Sequence, residues 1–182
     1  MHHSLKFYGG HRIGILRFYM FGAKCTRIPL LGWLARWIAN TYGENRQAAY
    51  LLTPTEAEEI VDIAEGVALG PCDCRKVFGN CDNPADAEIL IGPTRHVFLE
   101  TMPHDSHEIT REEAKDILRD CHRRGLIHTT IKYRGNFYAI CNCCSCCCVP
   151  LRLSKQYGIG KALVRHEDIV QEFREYQKSC GD

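Results

Sequence analysis

The 182-residue sequence lacks the long apolar runs of membrane-spanning and secreted chains. No stretch approaches the roughly 20 consecutive apolar residues that cross a bilayer, and no apolar signal-peptide core follows the first residues. Dinucleotide and P-loop fingerprints are also missing, because Gly9–Gly10 and Gly158–Lys161 lack the remaining spacing and context. We therefore expect one domain over residues 1–182, without a transmembrane helix.

A large excess of charge of one sign is absent as well. The formal net charge is +1, whereas a DNA-binding domain generally shows a clear basic footprint. The only candidate for such a basic footprint is a short patch at residues 119–124, so no nucleic-acid partner is expected. The first 50 residues nevertheless carry seven Lys or Arg against one acid, Glu44. Residues 1–50 are therefore a candidate docking segment for a partner or an anionic membrane surface.

Catalytic arrangements of histidine are not found either. The sequence has no Cys-His-Asn or H-E-x-x-H pattern. The histidines of the central and C-terminal parts are scattered, at His96, His104, His107, His122, His128 and His166. We expect each of them to be a surface or structural residue, and an enzymatic activity stays without support.

Cysteine is abundant, with 12 residues in the chain. Thiolates close together repel one another and oxidise readily unless a soft cation or an iron–sulfur cluster neutralises them. Six of the eight residues from 141 to 148 are cysteine, namely Cys141, Cys143, Cys144, Cys146, Cys147 and Cys148. This cysteine run predicts a metallothiolate centre.

A second set of cysteines, Cys72, Cys74 and Cys81, is expected to share this centre. Disulfides are the competing account, but a chain of this length needs no such staples. Adjacent cysteines such as Cys143 and Cys144 are also poor disulfide partners, because the bond requires particular Cα separations and Cβ directions. Free thiols indicate a reducing compartment, and we expect a cytoplasmic location.

The spacing of the cysteines discriminates only partly between zinc and iron–sulfur clusters. Pairs of the C-x2-C kind, typical of structural zinc, occur in the run but overlap. The ferredoxin pattern C-x2-C-x2-C is present, but its fourth ligand would fall at Leu151. Nine thiols in two groups exceed what one tetrahedral zinc ion uses, whereas eight would ligate two cubane clusters.

The ligands are expected to divide between two clusters. Cys72, Cys74 and Cys81 have no fourth thiol nearby in sequence, so one cysteine of the run should complete their cluster. Three or four other cysteines of the run would then hold a second cluster.

Side-chain alternation predicts how the run is shared. In an extended chain, Cys141 and Cys143 would face one way and Cys144, Cys146 and Cys148 the other. A helical turn would instead group Cys141, Cys144 and Cys148.

Hydrophobic periodicity predicts an amphipathic helix over residues 29–42. Its apolar stripe consists of Leu30, Trp33, Leu34, Trp37, Ile38 and Tyr42. We expect the stripe to pack on the protein's own core. The alternative is contact with a membrane interface or a larger subunit.

Two capping boxes predict further helix starts, at Thr53 with Glu56 and at Thr110 with Glu113. Cys121 lies on the apolar stripe of the helix that follows Thr110. A buried thiol on such a stripe is usually a core residue, and ligation is the alternative, so Cys121 is kept as a candidate cofactor-binding residue.

A β-hairpin is predicted to lead into the cysteine run. Segments 126–133 and 137–141 flank the turn residues 134–136. The residues around Cys72 are expected to form a loop, and a last helix is predicted over residues 167–178. The fold class is therefore α+β, a small helical domain with a β-hairpin leading into a cysteine-rich cluster-binding loop.

Residues 71–75 (PCDCR) and 140–148 (ICNCCSCCC) resemble a group of prokaryotic 4Fe-4S ferredoxin-like proteins, as does the segment 121–126. The resemblance implies iron–sulfur binding, with one or two 4Fe-4S clusters, and electron transfer. Relatives in that group continue into a C-x2-C-x2-C-x3-C-P segment that this sequence lacks. Cys180 is therefore expected to be a free thiol, and Cys25 a structural or incidental one.

Three functions are compatible with these observations. Electron transfer to or from a larger redox enzyme leads, because an iron–sulfur protein without a substrate motif usually relays single electrons. The helix with Trp33 and Trp37 would dock on that enzyme, and Arg75 and Lys76 would stabilise thiolate and cluster charge. The alternatives are an iron–sulfur sensing regulator of winged-helix type and a zinc- or copper-binding interaction protein.

Overall fold

A seven-stranded mixed sheet forms the centre of the fold. The computed structural model describes residues 2–45, 47–133 and 135–180. The strands are β1 Gln47–Leu51, β2 Val67–Pro71, β3 Asp86–Ile91, β4 His107–Ile109, β5 Ile127–Tyr133, β6 Asn136–Cys143 and β7 Leu163–Arg165. Their order is β4-β2-β3-β6-β5-β1-β7. The pairing of β1 with β7 is parallel, and the other pairings are antiparallel.

Eight α-helices in the described residues surround this sheet, which confirms the expected α+β class. They are α1 His2–Ala23, α2 Gly32–Asn45, α3 Pro54–Ile63, α4 Asp73–Phe78, α5 Pro93–Thr101, α6 Arg111–Arg123, α7 Val149–Tyr157 and α8 Ile169–Cys180. Within the described part of the chain, no helix has the length and apolar character needed to cross a bilayer.

Helices cover both faces of the sheet. On one face, α3, α6 and α8 pack over an apolar core that includes Ile60, Leu118 and Phe173. On the opposite face, Phe98 of α5 and Leu151 of α7 pack over Leu90, Tyr138, Cys141 and Cys143. This second layer brings two thiols of the cysteine run into the interior.

Both predicted capping boxes are present. The Thr53 hydroxyl accepts a hydrogen bond from the Glu56 backbone N–H at 3.2 Å, and the Glu56 carboxylate accepts one from the Thr53 N–H at 2.7 Å. Thr110 and Glu113 repeat this pattern at the start of α6. These boxes satisfy backbone donors that would otherwise lack partners in the first turn.

The predicted hairpin is formed by β5 and β6, which pair from Ile127 opposite Cys143 to Tyr133 opposite Asn136. Arg134 of the expected turn lies outside the described residues. Strand β5 also pairs with β1, and β6 with β3. The hairpin is therefore the middle of a large sheet, unlike the exposed wing of a winged-helix unit.

The apolar stripe of α2 faces outward, so the expectation that it packs on the core is wrong. Trp33 and Trp37 are 65% and 62% exposed. The inward side of α2 is formed by small and polar residues instead. A Cβ at Gly43 would lie 2.8 Å from the Lys161 carbonyl oxygen, and Asn40 Oδ1 accepts a hydrogen bond from the Lys161 N–H at 2.8 Å. This close approach fixes the orientation of the helix.

Candidate metal centre

Strand β6 and the turn after it distribute the cysteine run over two directions. Cys141 and Cys143 lie on the strand, and their side chains share one face because of the two-residue period. Cys144 follows the strand and turns the other way. The Cys148 N–H donates to the Cys144 carbonyl at 3.1 Å, which closes a tight turn and starts α7 at Val149.

Four cysteines form a compact thiol group, consisting of Cys81, Cys144, Cys146 and Cys147. All four Sγ atoms lie within 4.8 Å of one another. The Sγ of Cys81 is 3.7 Å from that of Cys144 and 3.8 Å from that of Cys147. Four cysteines at this spacing are close enough to hold a metal ion.

The spacing of the compact thiol group matches a single tetrahedral ion. Thiolate sulfurs at about 2.3 Å from one zinc ion, at the corners of a tetrahedron, are separated by about 3.8 Å. A cubane cluster holds its thiolates farther apart, because each sulfur binds a different iron atom. The Sγ separations of Cys81 from Cys144 and Cys147 are close to the value for a single ion.

Cys81 reaches this group from the end of α4. Gly79 ends the helix at φ +55°, a left-handed conformation that glycine adopts without steric cost. Asn80 then donates its backbone N–H to Cys147 Sγ at 3.3 Å and its side-chain amide to the Cys146 carbonyl at 2.9 Å. These bonds hold the α4 end against the turn of the cysteine run.

Hydrogen bonds favour the thiolate form of one cysteine in the compact thiol group, Cys81. Burial raises the pKa of Cys81, but hydrogen bonds of its sulfur with the Asn83 backbone and side-chain amides and with the thiols of Cys146 and Cys144 lower the pKa to about 6. Burial and the neighbouring thiols raise the pKa of Cys146 to about 12. Thiols this close cannot all ionise unless a cation is present.

The other five cysteines of the two sequence groups form a buried thiol group: Cys72, Cys74, Cys141, Cys143 and Cys148. Their thiols are close neighbours, with Cys143 beside Cys141 and Cys148, and Cys148 beside Cys74. Cys72 lies near Cys74 and Cys143. Ligands that the sequence separates by some 70 residues thus meet in one interior site.

Ionisation within the buried thiol group is uneven. The hydrogen bond from Cys141 lowers the pKa of Cys143 well below its ordinary value, and the bond from Cys148 lowers that of Cys74. Burial raises the pKa of Cys72. The Thr129 hydroxyl also lies 3.4 Å from Cys143 Sγ. Cys74 and Cys143 are therefore the thiols best prepared to bind a cation.

The buried thiol group is more spread out than the compact one. Among the described residues, only the compact thiol group has at least three donor atoms all within 4.8 Å of one another. The buried thiols line a cavity of about 640 Å³, which continues between α1, α2 and the sheet.

A buried ion-pair network adjoins this cavity. Arg12 Nη2 lies 2.8 Å from both carboxylate oxygens of Glu88, and Arg12 Nε lies 3.1 Å from Asp73 Oδ2. The Cys141 thiol donates to Glu88 at 3.3 Å. Burial raises the pKa of Glu88 although Arg12 opposes this effect. The network connects α1 and α4 to the strand that carries Cys141.

Arg75 lies between the two thiol groups. Its guanidinium donates to the Pro84 carbonyl at 2.5 Å, to the Asn142 carbonyl and to the Cys144 thiol. Burial lowers the pKa of Arg75, but the nearby thiols of Cys72 and Cys144 raise it, and the net shift is upward. A permanent positive charge therefore faces both groups.

The expected division of ligands is wrong in two places. Cys81 joins Cys144, Cys146 and Cys147 instead of Cys72 and Cys74. The reason is that α4 separates them: the segment around Cys72 is partly helical instead of a loop, and it carries Cys81 away from the buried group.

Cys148 is the second departure, because the tight turn returns it to the side of Cys141 and Cys143. The alternation of Cys141 and Cys143 against Cys144 and Cys146 agrees with the structure.

The remaining cysteines lie outside both groups. Cys121 is buried in the same apolar cluster as Cys144 and Cys147 but is not one of the four compact thiols. Its ligation stays a prediction. Cys25 and Cys180 are exposed, and all twelve cysteines are free thiols.

Several residues of the site were not found by sequence reasoning. Asn80 and Asn83 lie close to Cys81 in sequence. Short amide side chains beside a candidate ligand cysteine are a sequence signal that could have identified both residues. Arg12 and Glu88 lie far from any cysteine in sequence, so no local pattern marks them.

Compared with known proteins, the chain matches no family model, no curated protein and no solved structure.

Proposed function

We propose that this protein is an iron–sulfur electron carrier with two adjoining metal sites. The buried thiol group would hold a 4Fe-4S cluster, and the compact thiol group a single tetrahedral ion. The observation that carries this proposal is the division of one cysteine run between two groups. The ferredoxin-like resemblance of residues 71–75 and 140–148 supports the same function.

Consecutive residues would connect the two sites. Cys143 belongs to the buried group and Cys144 to the compact one, and consecutive Cα atoms are about 3.8 Å apart. Metals bound to the two residues would therefore be connected through two cysteine side chains and one peptide unit. A short covalent connection between the two metal sites favours the exchange of single electrons between them. Single-electron transfer is the chemistry that an iron–sulfur cluster supplies when bound.

The surroundings of the buried thiol group support a cluster that changes charge. Ligand thiolates bring several negative charges into an apolar interior, where unpaired charge is costly. The guanidinium of Arg75 offsets part of this charge. Such positive charges and hydrogen bonds to sulfur are the means by which proteins set the potential of a cluster.

Metal content tests the proposal directly. Protein purified without oxygen is expected to contain about four iron and four sulfide ions per chain, with one further metal ion. Reduction should give an electron paramagnetic resonance signal. Stoichiometric zinc without any sulfide would refute the cluster.

Two variants separate the sites. Cys74→Ser is expected to remove the acid-labile sulfide and to leave the single ion, because Cys74 belongs to the buried thiol group. Cys81→Ser should remove the single ion and leave the sulfide, because Cys81 belongs to the compact group. Cys180→Ser, at an exposed thiol, is the matched control and should change neither. Joint loss of all metal in both variants would argue against two separate sites.

A zinc-binding interaction protein is the second candidate function. One observation favours it, the agreement of the 3.7 and 3.8 Å separations with a tetrahedral zinc–thiolate site. This candidate explains the compact thiol group but gives no role to the five buried thiols. The metal analysis distinguishes it from the electron carrier.

The electron carrier needs a larger redox enzyme as its partner, and we propose no nucleic-acid partner. The basic residues of α6 are engaged in ion pairs on the protein surface. Arg119 pairs with Glu58 at 3.0 Å, and Arg124 with Asp120 at 2.7 Å. Such pairing reduces the positive potential that would attract phosphate groups.

A further inference from the structure

The exposed large hydrophobic side chains are concentrated in one part of the protein. Among the residues whose side chains the structure describes, all of them lie between Ile13 and Tyr42. They include Phe18, Phe21, Leu31, Trp33, Trp37 and Ile38. We refer to the exposed apolar side chains of residues 13–42 as the N-terminal apolar surface.

Helix α1 is apolar on two sides. Leu16 and Met20 are buried against the rest of the protein, whereas Phe18 and Phe21 are 69% and 70% exposed. A surface helix normally carries polar residues on its outer side. A folded monomer rarely leaves a continuous apolar surface of this kind in water. The outer side of α1 and the stripe of α2 therefore require a covering environment.

The charged residues within residues 13–42 have one sign, because all of them are Lys or Arg. Arg17, Lys24 and Arg27 are exposed. The single acid of the first 50 residues, Glu44, is engaged by Lys161 at 2.9 Å. Aromatic and aliphatic side chains bordered by cations are the composition of helices that lie in the headgroup region of a bilayer. Anionic lipids add an attraction for each nearby Lys or Arg.

We propose that α1 and α2 are a peripheral membrane anchor that binds bilayers containing anionic lipids. Trp33 and Trp37 would lie at the level of the headgroups, with Arg17 and Lys24 beside the lipid phosphates. The anchor would place the cavity beneath α1 and α2, and the buried thiol group, near the membrane surface. Because the surface contains no metal ligand, the anchor can be tested independently of the proposed electron transfer.

The two tryptophans make the test specific, because the chain has no others. The full-length protein is mixed with vesicles of phosphatidylcholine alone or with phosphatidylglycerol. We expect the protein to float with the anionic vesicles, the tryptophan emission to shift to the blue and quenching by iodide to decrease. Vesicles of phosphatidylcholine alone and high salt should both weaken binding.

Variants separate the charge from the apolar contribution. Arg17→Gln with Lys24→Gln is expected to weaken binding to anionic vesicles roughly fivefold for each charge removed. Phe18→Ser with Phe21→Ser should reduce the blue shift while both tryptophans remain as reporters. Arg123→Gln with Arg124→Gln, exposed on α6, is the matched control and should bind as the wild type does.

Three results would overturn the anchor. Unchanged tryptophan emission with anionic vesicles would show that no bilayer covers the surface. Tryptophans already protected from iodide in a vesicle-free dimer would show that a second copy covers it. A partner enzyme that alone protects them would likewise replace the membrane as the occupant.

Discussion

At the scale of single residues, Arg75 interacts with both thiol groups of the centre. Its guanidinium contacts Cys144 of the compact thiol group and lies near Cys72 of the buried one. Its hydrogen bonds to the Pro84 and Asn142 carbonyls fix its position. The same residue therefore orders the polypeptide between the sites and compensates the charge of both.

Replacing Arg75 should change the reduction potential of a bound cluster. Arg75→Gln removes a positive charge that stabilises the added electron, so we expect the midpoint potential to fall by roughly tens of millivolts. A redox titration followed by electron paramagnetic resonance measures this shift. Arg75→Lys keeps the charge and should shift the potential less. An unchanged potential in Arg75→Gln would show that the guanidinium has only a structural role.

At the scale of elements, ion pairs and caps hold the helices on the sheet. Glu56 completes the capping box of α3 and also accepts two hydrogen bonds of 2.6 Å from Arg165 of β7. The bonds from Arg165 and from Thr53 lower the pKa of Glu56 to about 2, although partial burial opposes them. One carboxylate thus joins the start of a helix to an edge strand.

The low pKa of Glu56 predicts how stability depends on pH. A depressed pKa in the folded state stabilises the protein above the ordinary value of 4.5, and this contribution is lost as the pH falls toward 2. Glu56→Gln should therefore reduce the free energy of unfolding by about 1 kcal/mol at pH 7.

The difference in the free energy of unfolding between Glu56→Gln and the wild type should disappear near pH 2. Denaturant titrations across this range measure it. Glu175→Gln on the exposed side of α8 is the control, and a pH-independent difference for Glu56→Gln would contradict the assignment.

At the scale of the whole molecule, the compact thiol group joins distant parts of the chain. Cys81 follows α4, and its three partners follow β6, more than 60 residues later in sequence. A metal ion held by these residues would close a long loop and would bind the folded state more tightly than the unfolded chain. Metal binding of this kind contributes directly to folding stability.

Removal of a metal ion bound at this group is therefore expected to lower the thermal stability of the protein. A strong chelator should decrease Tm, because the ligands are brought together only in the folded chain. Cys81→Ser should begin with a lower Tm and respond less to the chelator. Cys25→Ser, at an exposed thiol, should behave as the wild type. Equal chelator responses in Cys81→Ser and the wild type would place the stabilising ion elsewhere.

The sequence by itself determined the local features of this protein. The capping boxes at Thr53 and Thr110, the β5–β6 hairpin and the cysteine-rich centre follow from short-range patterns. Hydrogen bonding in a first helical turn and side-chain alternation on a strand involve neighbouring residues, so a local reading suffices for them.

Only the tertiary structure decided which residues meet. The seven-strand order, the pairing of Cys81 with the turn after β6 and the contact of Arg12 with Glu88 all join residues far apart in sequence. The outward direction of the α2 stripe was also decided there, because periodicity defines an apolar side without saying what it contacts. The close approach of Gly43 to Lys161 turned that side away from the core.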